Sequence, residues 1–552
     1  MSAIRQAPAS ARPYDAIIVG AGFSGLYQLH KLRDTLGLKA RVLEAGGGVG
    51  GTWYWNRYPG ARCDSESFSY SYSFSSELEQ EWAWSERYPS HEEIRRYLNH
   101  VADRFDLRRD IQLNTRVLAA AFDSARDLWT VTAETGETFV TRFLITAVGC
   151  ISAANVPDIP GRDSFAGQWY HTGRWPHEGV DFTGKRVGLI GTGSTGIQAA
   201  PVIAESAAHL SVFQRTANFS IPARNAPLTA EFVREIKSNY AAVREVMRGT
   251  PNGHPFAISK DSALAVPEEE RQARYERAWE VGGLRFRAEF SDLLTNKAAN
   301  DTAVAFLQNK IREVVKDAEI AEKLIPRDHP FATKRPPIDT GYFETFNRGN
   351  VRLVDVKADP IEAMVPEGIR LTSGEIVPLD IIVFATGYDA LTGSLLAMDV
   401  RGADGHNLRE DWAAGPRTYL GLQVPHFPNM FIITGPGSPS VLCNMPVPIE
   451  QHVNWITDCI AYMNAHGYSR IETSEDEAEA WVAHVNEAAN ATLLPQAGSS
   501  WYLGANIPGK PRVFMPYAGG MARYAALCDE VAKNGYRGFR FSGGQMQRRQ
   551  SR

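Results

Sequence analysis

Cysteine is scarce in this chain. Five stand among 552 residues, Cys63, Cys150, Cys443, Cys459 and Cys528, and no two form C-x-x-C. This argues against a thioredoxin-like dithiol or a zinc knuckle, and an odd, widely spaced set fits a reduced, cytoplasmic compartment. Long apolar runs are also missing: no stretch of about 18 such residues occurs, so a membrane span is not expected. Neither sign of charge is in marked excess. The formal net charge is −5, with no basic stripe and no polybasic block, so neither nucleic acid nor an anionic membrane is an expected partner. The thirteen histidines are scattered and no cluster has metal-ligand spacing. No solenoid-type repeat is visible. The N-terminus lacks an apolar signal core, so residues 1–13 read as a flexible arm, and 542–552 read as a flexible, solvated tail.

What is present is ordinary globular material, 44% apolar and 22% charged, enough for three or four domain-sized units. The run Ala16-Ile17-Ile18-Val19 reads as a buried parallel strand. Leu26, Leu29 and Leu32 follow at helical spacing, and Ala40–Leu43 is a second strand. Residues 77–107 read as helical, and 128–140 as a hairpin about Thr135-Gly136. Phe143–Gly149 reads as another buried strand. The pattern restarts with strands at Arg186–Ile190 and Leu210–Phe213, separated by a helix over Ile197–Ile203. Residues 228–325 are rich in Glu, Arg, Lys and Ala at helical spacing. Strands resume at Val351–Val354 and Ile381–Phe384, and helices at Ile449–Met463 and Glu475–Leu493.

Two glycine loops punctuate this text. Gly20-Ala21-Gly22-Phe23-Ser24-Gly25 follows a strand and opens a helix, the setting G-x-G-x-x-G requires for a dinucleotide pyrophosphate. Its helix N-terminus faces the phosphates with free N–H groups. Glu44 ends the next strand, where an acid accepts from ribose hydroxyls. Gly191-Thr192-Gly193-Ser194-Thr195-Gly196 repeats the pattern, but Arg215 stands where Glu44 stood. A guanidinium grips a 2′-phosphate that a carboxylate would repel. Thr216 adds a hydroxyl. FAD is therefore expected in the first site and NADPH in the second. The fold class expected is α/β, two Rossmann-like dinucleotide-binding domains with a helical insertion in the second. The expected FAD-binding domain is 14–150 with 388–541, the NADP-binding domain 151–224 with 333–387, and the insertion 225–332. Disulfide-type reductases, electron-transfer reductases and monooxygenases all pair these cofactors; the absent cysteine pair weakens the first.

Phe165, Gly167, His171, Trp175 and Pro176 fill every fixed position of F-x-G-x-x-x-H-x-x-x-W-[PD]. Gly50-Gly51-Thr52-Trp53 through Tyr58-Pro59-Gly60 to Asp64 fits [AG]-G-x-W-x-x-x-x-[FY]-P-[GM]-x-x-x-D. Both resemble the signatures of type I Baeyer–Villiger monooxygenases, class B flavoprotein monooxygenases, in the phenylacetone and steroid monooxygenase branch. The stretches Ala385–Asp389, Gly435–Pro439 and Ser500–Asn506 resemble the same family.

The resemblance implies that NADPH reduces FAD, that a flavin C4a-peroxide forms with O₂, and that it converts a ketone to an ester or lactone. It implies Arg335 as the catalytic cation, with Asp64 pairing to it; an aspartate in Cys63-Asp64-Ser65 is also suited to a local backbone cap. Further FAD contacts implied are Ser24, Thr52, Trp53, Trp55, Asp64, Tyr70, Val117 and Met445. Those for NADP are Arg62, Asp64, Thr192, Ser194, Thr195, Lys334, Arg335 and Trp501, with Lys334 joining Arg215 on the 2′-phosphate and Trp501 closing over the bound nucleotide. His171 and Trp175 would couple domain motion to the cofactors, and Pro176 would stiffen the linker. Ser440, Val441, Leu442 and Met445 would border the substrate cavity. Ketone and O₂ are the expected small-molecule partners, with no protein partner implied. An N- or S-oxygenating flavin monooxygenase is the alternative; Trp175 and Arg335 favour the ketone chemistry.

Overall fold

The computed structural model describes residues 13–543. The bulk of the expected arm and tail, 1–12 and 544–552, lies outside the described residues. Two parallel-strand sheets organise the rest. The first runs Asp399–Arg401, Val117–Asp123, Leu128–Ala133, Thr138–Thr146, Tyr14–Val19, Ala40–Leu43, Ile111–Gln112, with Met430–Ile432 also pairing to Thr138–Thr146. Its centre is parallel, Ile18 lying opposite both Val42 and Ile145. The Leu128–Ala133 arm is antiparallel to both its neighbours. Ile17 and Ile18 are fully buried because parallel central strands are covered on both faces. Below one face lie Leu26, Leu29 and Leu32 with Val453, Ile456 and Ile460 of the helix Pro446–His466. The other face packs Trp129 and Val131 against Val400, Phe427 and Ile432. The C-terminal third thus returns to complete the first sheet.

The second sheet is parallel throughout, in the order Val351–Asp355, His209–Gln214, Arg186–Ile190, Ile381–Phe384, Gln168–His171. A small antiparallel sheet, Ile361–Val365, Gly368–Leu371 and Ile376–Pro378, covers one face with Met364, Ile369 and Leu371. The helix Ser194–Ser206 covers the other with Ile197, Ala200 and Ile203.

Four helices, Ala230–Gly249, Glu268–Val281, Lys297–Val314 and Ala318–Leu324, follow the strand Ile221–Pro222. Tyr275, Phe286, Phe306 and Phe331 form a core there. Arg244 on the first of these helices pairs with Glu79 at 2.8 Å and donates to Ser71 Oγ and the Tyr72 carbonyl, which ties the helix to the first sheet's side. That pair is almost fully buried, and removing one partner would strand the other's charge.

The sequence reading differs in detail. The span 77–107 is two helices, Ser76–Glu81 and His91–Arg104, broken by Trp82–Ser90, where the Ser90 hydroxyl caps the second. The two strands expected at 139–149 are one, Thr138–Thr146. Among the described residues no helix is long and apolar enough to cross a membrane.

Candidate active site

Each sheet carries a glycine loop after a central parallel strand. In the first, Gly20 has φ +107° and a Cβ there would lie 2.5 Å from the Ala147 carbonyl oxygen; one on Gly25 would lie 1.8 Å from that of Gly20. In the second, Gly191 has φ +114° with Ala385 O at 2.3 Å, and Gly196 meets Gly191 O at 2.0 Å. No L side chain is accommodated at these points without moving backbone. The helices that follow, Phe23–His30 and Ser194–Ser206, start on Gly22 and Gly193 with no side-chain cap. Some helices elsewhere are capped, by Ser90, Thr229, Asn296 and Ser474, while others, among them Glu268–Val281, Pro446–His466 and Met521–Lys533, are not, so the missing cap gains its meaning from the glycine loop before it. Two uncapped N-termini leave first-turn N–H groups and the positive helix ends for an anion. A Cβ on Gly193 would meet nothing within 4 Å, so space is open in front of its backbone, whereas one on Gly22 would meet Gly51 Cα at 3.3 Å.

The strand-end residues differ. Glu44 is buried, its Oε2 accepting from Ala21 N at 2.6 Å and Oε1 from Gly46 N at 2.7 Å. Burial raises its pKa and the two N–H groups offset part of that. Each oxygen retains a lone pair for a ribose hydroxyl. Arg215 is exposed. Lys334 is half-buried; burial lowers its pKa, Asp328 opposes this, and Arg215 lowers it further, so the two cations stand within electrostatic reach. Among the described residues neither side chain forms an ion pair or a hydrogen bond. Two unpaired cations beside an uncapped helix fit a phosphate dianion. Thr192 Oγ1 donates to the Thr216 carbonyl at 2.6 Å, so that hydroxyl holds the loop to the strand end.

Arg335, next along from Lys334, meets Asp64 in a two-pronged pair, Nε to Oδ2 at 2.5 Å and Nη2 to Oδ1 at 2.9 Å. Its Nη1 donates to the Val441 carbonyl at 2.8 Å. Three distant chain segments are thereby fixed on one guanidinium, whose side chain keeps 17% exposure and Asp64 22%. Burial alone would raise the Asp64 carboxyl; the charge and hydrogen bonds of Arg335 outweigh it and hold it below its ordinary value. Burial would likewise lower Arg335, and Asp64 raises it instead. Both stay charged across the neutral range. Around them His254 is pushed down to about 3, mainly by burial, and Tyr502 and Cys443 up to about 12 by the same cause.

The other expected residues fall into three groups. The helix Thr52–Trp55 adjoins the first loop, since Gly51 backs onto Gly22; Trp53 Nε1 donates to Tyr70 Oη at 3.2 Å, and Trp55 lies edge-on to Tyr54. Val117 is buried two residues beyond Thr115, whose N–H donates to the Glu44 carbonyl. Met445 packs against both the core beneath the first sheet and a cluster holding Val441, Leu442, Trp501 and Tyr502. Ser440 is fully buried and turns its Oγ onto Cys150 Sγ at 3.0 Å, so its hydroxyl serves the packing of that loop. Arg62 is engaged by the Tyr88 carbonyl at 2.7 Å and by Glu86 at 3.2 Å.

The fingerprint segment is built into the second sheet. Gln168–His171 is its edge strand, and a Cβ on Gly167 would lie 2.3 Å from Asp380 O. Phe165 is buried under the small sheet, and Pro176 accepts a turn bond from Gly179 N. His171 Nδ1 accepts from Gly173 N at 3.0 Å, and its ring lies edge-on to Tyr388. Burial pushes this histidine down to about 4. Trp175 is buried with Tyr58, Ala61 and Ile197, between the first-loop side and the second helix.

The chain matches the family model described as pyridine nucleotide-disulphide oxidoreductase over residues 17–254. It is 43% identical to cyclohexanone 1,2-monooxygenase of Acinetobacter sp over 95% of its length and 96% of that protein's. It is 44% identical both to a Baeyer-Villiger monooxygenase of Pseudooceanicola batsensis (95% of each chain) and to phenazine N-monooxygenase PhzNO1 of Lysobacter antibioticus (95% and 96%). The solved oxidized steroid monooxygenase bound to NADP superposes with a TM-score of 0.92 at 53% identity, covering 97% of this chain and 100% of that one. The chain belongs to the Baeyer–Villiger monooxygenases. Like other Baeyer–Villiger monooxygenases it is an FAD- and NADPH-dependent flavoprotein. The two loops fit these groups: each has an uncapped helix end, one with a carboxylate at the strand end and one with two free cations.

Some residues of this Baeyer–Villiger site escaped the sequence. Tyr58 Oη donates to Gln198 Oε1 at 2.8 Å, Gln198 Nε2 donates to the Arg62 carbonyl at 3.1 Å, and Tyr388 Oη donates to Asn56 Oδ1. These bonds join the first-loop side to the second. Tyr58 and Tyr388 lie inside quoted motifs, which was the available signal. His254 and Arg287, both near Arg335, sit in the helical region with no motif around them.

Proposed function

We propose that this chain oxidises ketones to esters or lactones: ketone, O₂, NADPH and a proton yield the ester, water and NADP⁺. The observation that carries the reading is the two-pronged Arg335–Asp64 pair, anchored to Val441 and lying next to the cationic pair Arg215 and Lys334. When bound, FAD and NADPH supply hydride transfer and the activation of O₂. Arg335 presents a fixed cation to the negative charge that develops as oxygen adds to the carbonyl. Asp64 holds that cation in one orientation, so it needs no reorganisation at the moment of reaction. Arginine suits this place because it keeps its charge when desolvated. Arg215 and Lys334 bind the 2′-phosphate, and Glu44 binds a ribose of FAD. Leu442, Met445 and Trp501 exclude water from the reacting centre.

In this reading residues 14–150 and 388–541 make the FAD-binding domain and 151–224 and 333–387 the NADP-binding domain, with 225–332 a helical insertion. The bonds Tyr58–Gln198 and Tyr388–Asn56 then transmit motion between them, with His171 and Trp175 behind them. Five buried free cysteines support a cytoplasmic location.

Incubation with NADPH, ¹⁸O₂ and a ketone panel that includes cyclohexanone tests the reading. An ester or lactone carrying one ¹⁸O atom is expected; no labelled product from any ketone overturns it. One relative is a phenazine N-monooxygenase, so oxygenation at nitrogen is the alternative to test against this reading. A phenazine added to the same panel decides it, an N-oxide without esters being its signature.

A further inference from the structure

Arg287 lies in the turn Gly283–Ala288, on the helical side of the site, and is half-buried. Its strongest electrostatic neighbour is Arg335, followed by Tyr502, Cys443 and Asp64. Of the arginines close to it in the chain, Arg285 meets Glu66 at 3.3 Å, Arg274 meets Asp261 at 2.8 Å and Arg271 donates to the Ala263 carbonyl at 3.0 Å, while Arg277 is exposed to solvent. Among the described residues the Arg287 guanidinium makes no hydrogen bond and no ion pair. Asp64 accepts from Arg335 through both carboxylate oxygens and forms no bond with Arg287. Tyr502, Cys443 and His254 are uncharged at neutral pH. Arg287, Arg335 and Asp64 together therefore carry a net charge of +1 (2 − 1).

A partly desolvated guanidinium beside another, without an anion, costs folding free energy. Arginine's donors form a planar fork that matches a carboxylate. We infer that Arg287 is a specificity-determining residue that binds a carboxylate carried by the substrate, so that this enzyme favours oxo acids over neutral ketones of the same shape. This inference rests on the ketone reading above, with Arg335 acting at the carbonyl and Arg287 holding the far end.

The test compares 4-oxopentanoate and 6-oxoheptanoate with their methyl esters, in the FAD-loaded enzyme and its Arg287→Met and Arg287→Lys variants. The readout is the ratio of kcat/KM for each acid to that for its ester. For at least one acid of the pair the ratio is expected to exceed unity in the parent enzyme and to fall about 10- to 100-fold in Arg287→Met, the worth of one charge-assisted pair. Arg287→Lys is expected to fall between, keeping the charge without the fork. Ratios at or below unity for both acids, or unchanged in Arg287→Met while the esters are still oxidised, overturn this inference and leave the ketone reading standing. A variant that instead loses affinity for FAD or NADPH with its ratios intact also overturns it, by giving Arg287 to a cofactor. Failure to oxidise acids, esters and cyclohexanone alike overturns the ketone reading itself, and this inference with it.

Discussion

At a position 24 residues after the first glycine of each loop stands the end of a strand: Glu44 in the first unit, Arg215 in the second. The backbone around them is nearly the same, with a positive-φ glycine under a carbonyl, a third glycine pressed on the first, and an uncapped helix. Their surroundings are opposite. Glu44 is buried and bonded to its own loop through Ala21 and Gly46, so the first site is closed and largely self-satisfied. Arg215 is exposed, and with Lys334 it leaves the second site electropositive and unsatisfied. The backbone device confers dinucleotide binding in general. In the proposed reading, the strand-end charge and the room in front of the second glycine set which nucleotide each loop binds.

The largest expected effect lies where the two sites meet. Arg335→Ala should lower ester formation by about 10³-fold, the scale of a lost charge-stabilising donor, while stopped-flow reduction of the flavin by NADPH persists; full ester formation would remove Arg335 from the chemistry. Because Asp64 is held below its ordinary value, its ion pair is complete at neutral pH and is lost only as pH falls through that lowered value. The pH profile of ester formation should therefore show no limb from Asp64 above the ordinary carboxylate range.

Next come the glycines. Gly196→Ala puts a methyl 2.0 Å from a carbonyl oxygen, and Gly25→Ala does so at 1.8 Å. Both should destabilise the protein by about 3 kcal/mol or more in denaturant titrations. Arg215→Ala and Lys334→Ala should each raise the KM for NADPH about 10- to 100-fold with little change for NADH; equal changes for both coenzymes would erase the contrast between the two strand ends. Glu44→Gln should cost about 2 kcal/mol and release FAD more readily, since an amide accepts at one oxygen only. The smallest stability effect should come from Gly193→Ala, below about 0.5 kcal/mol without nucleotide, because no protein atom lies within 4 Å of the new carbon. NADPH binding should nevertheless weaken, and a change in melting without any change in binding would break the comparison.

Much of this was legible one residue at a time. The central strands ran apolar for their whole length, and the glycines came at fixed spacing before helices. Strands that are short or half-exposed were not: Asp399–Arg401, Met430–Ile432 and the pair Arg470–Thr473 with Phe539–Ser542 carry no clear period, and partners far along the chain recruit them. The break at Trp82–Ser90 was missed because its aromatics, Trp82 and Trp84, pack on Tyr97 rather than marking a turn. In the site, Glu44 and Arg215 could be read as a pair because each is local to its loop. Arg287 could not, because an arginine among helical charges looks like solvated surface until its surroundings are known.

The sequence alone determined two glycine loops and their unequal strand ends, since these rest on spacing and residue chemistry within short stretches; Arg335 and Asp64 were expected only through the resemblance of their motifs to the family. Tertiary structure alone decided that Glu44 spends its carboxylate on its own loop, that Arg215 and Lys334 stand together unpaired, and that Asp64, Arg335 and Val441 meet on one guanidinium. Burial and charge balance depend on segments hundreds of residues apart, and no local pattern records which of them will face each other.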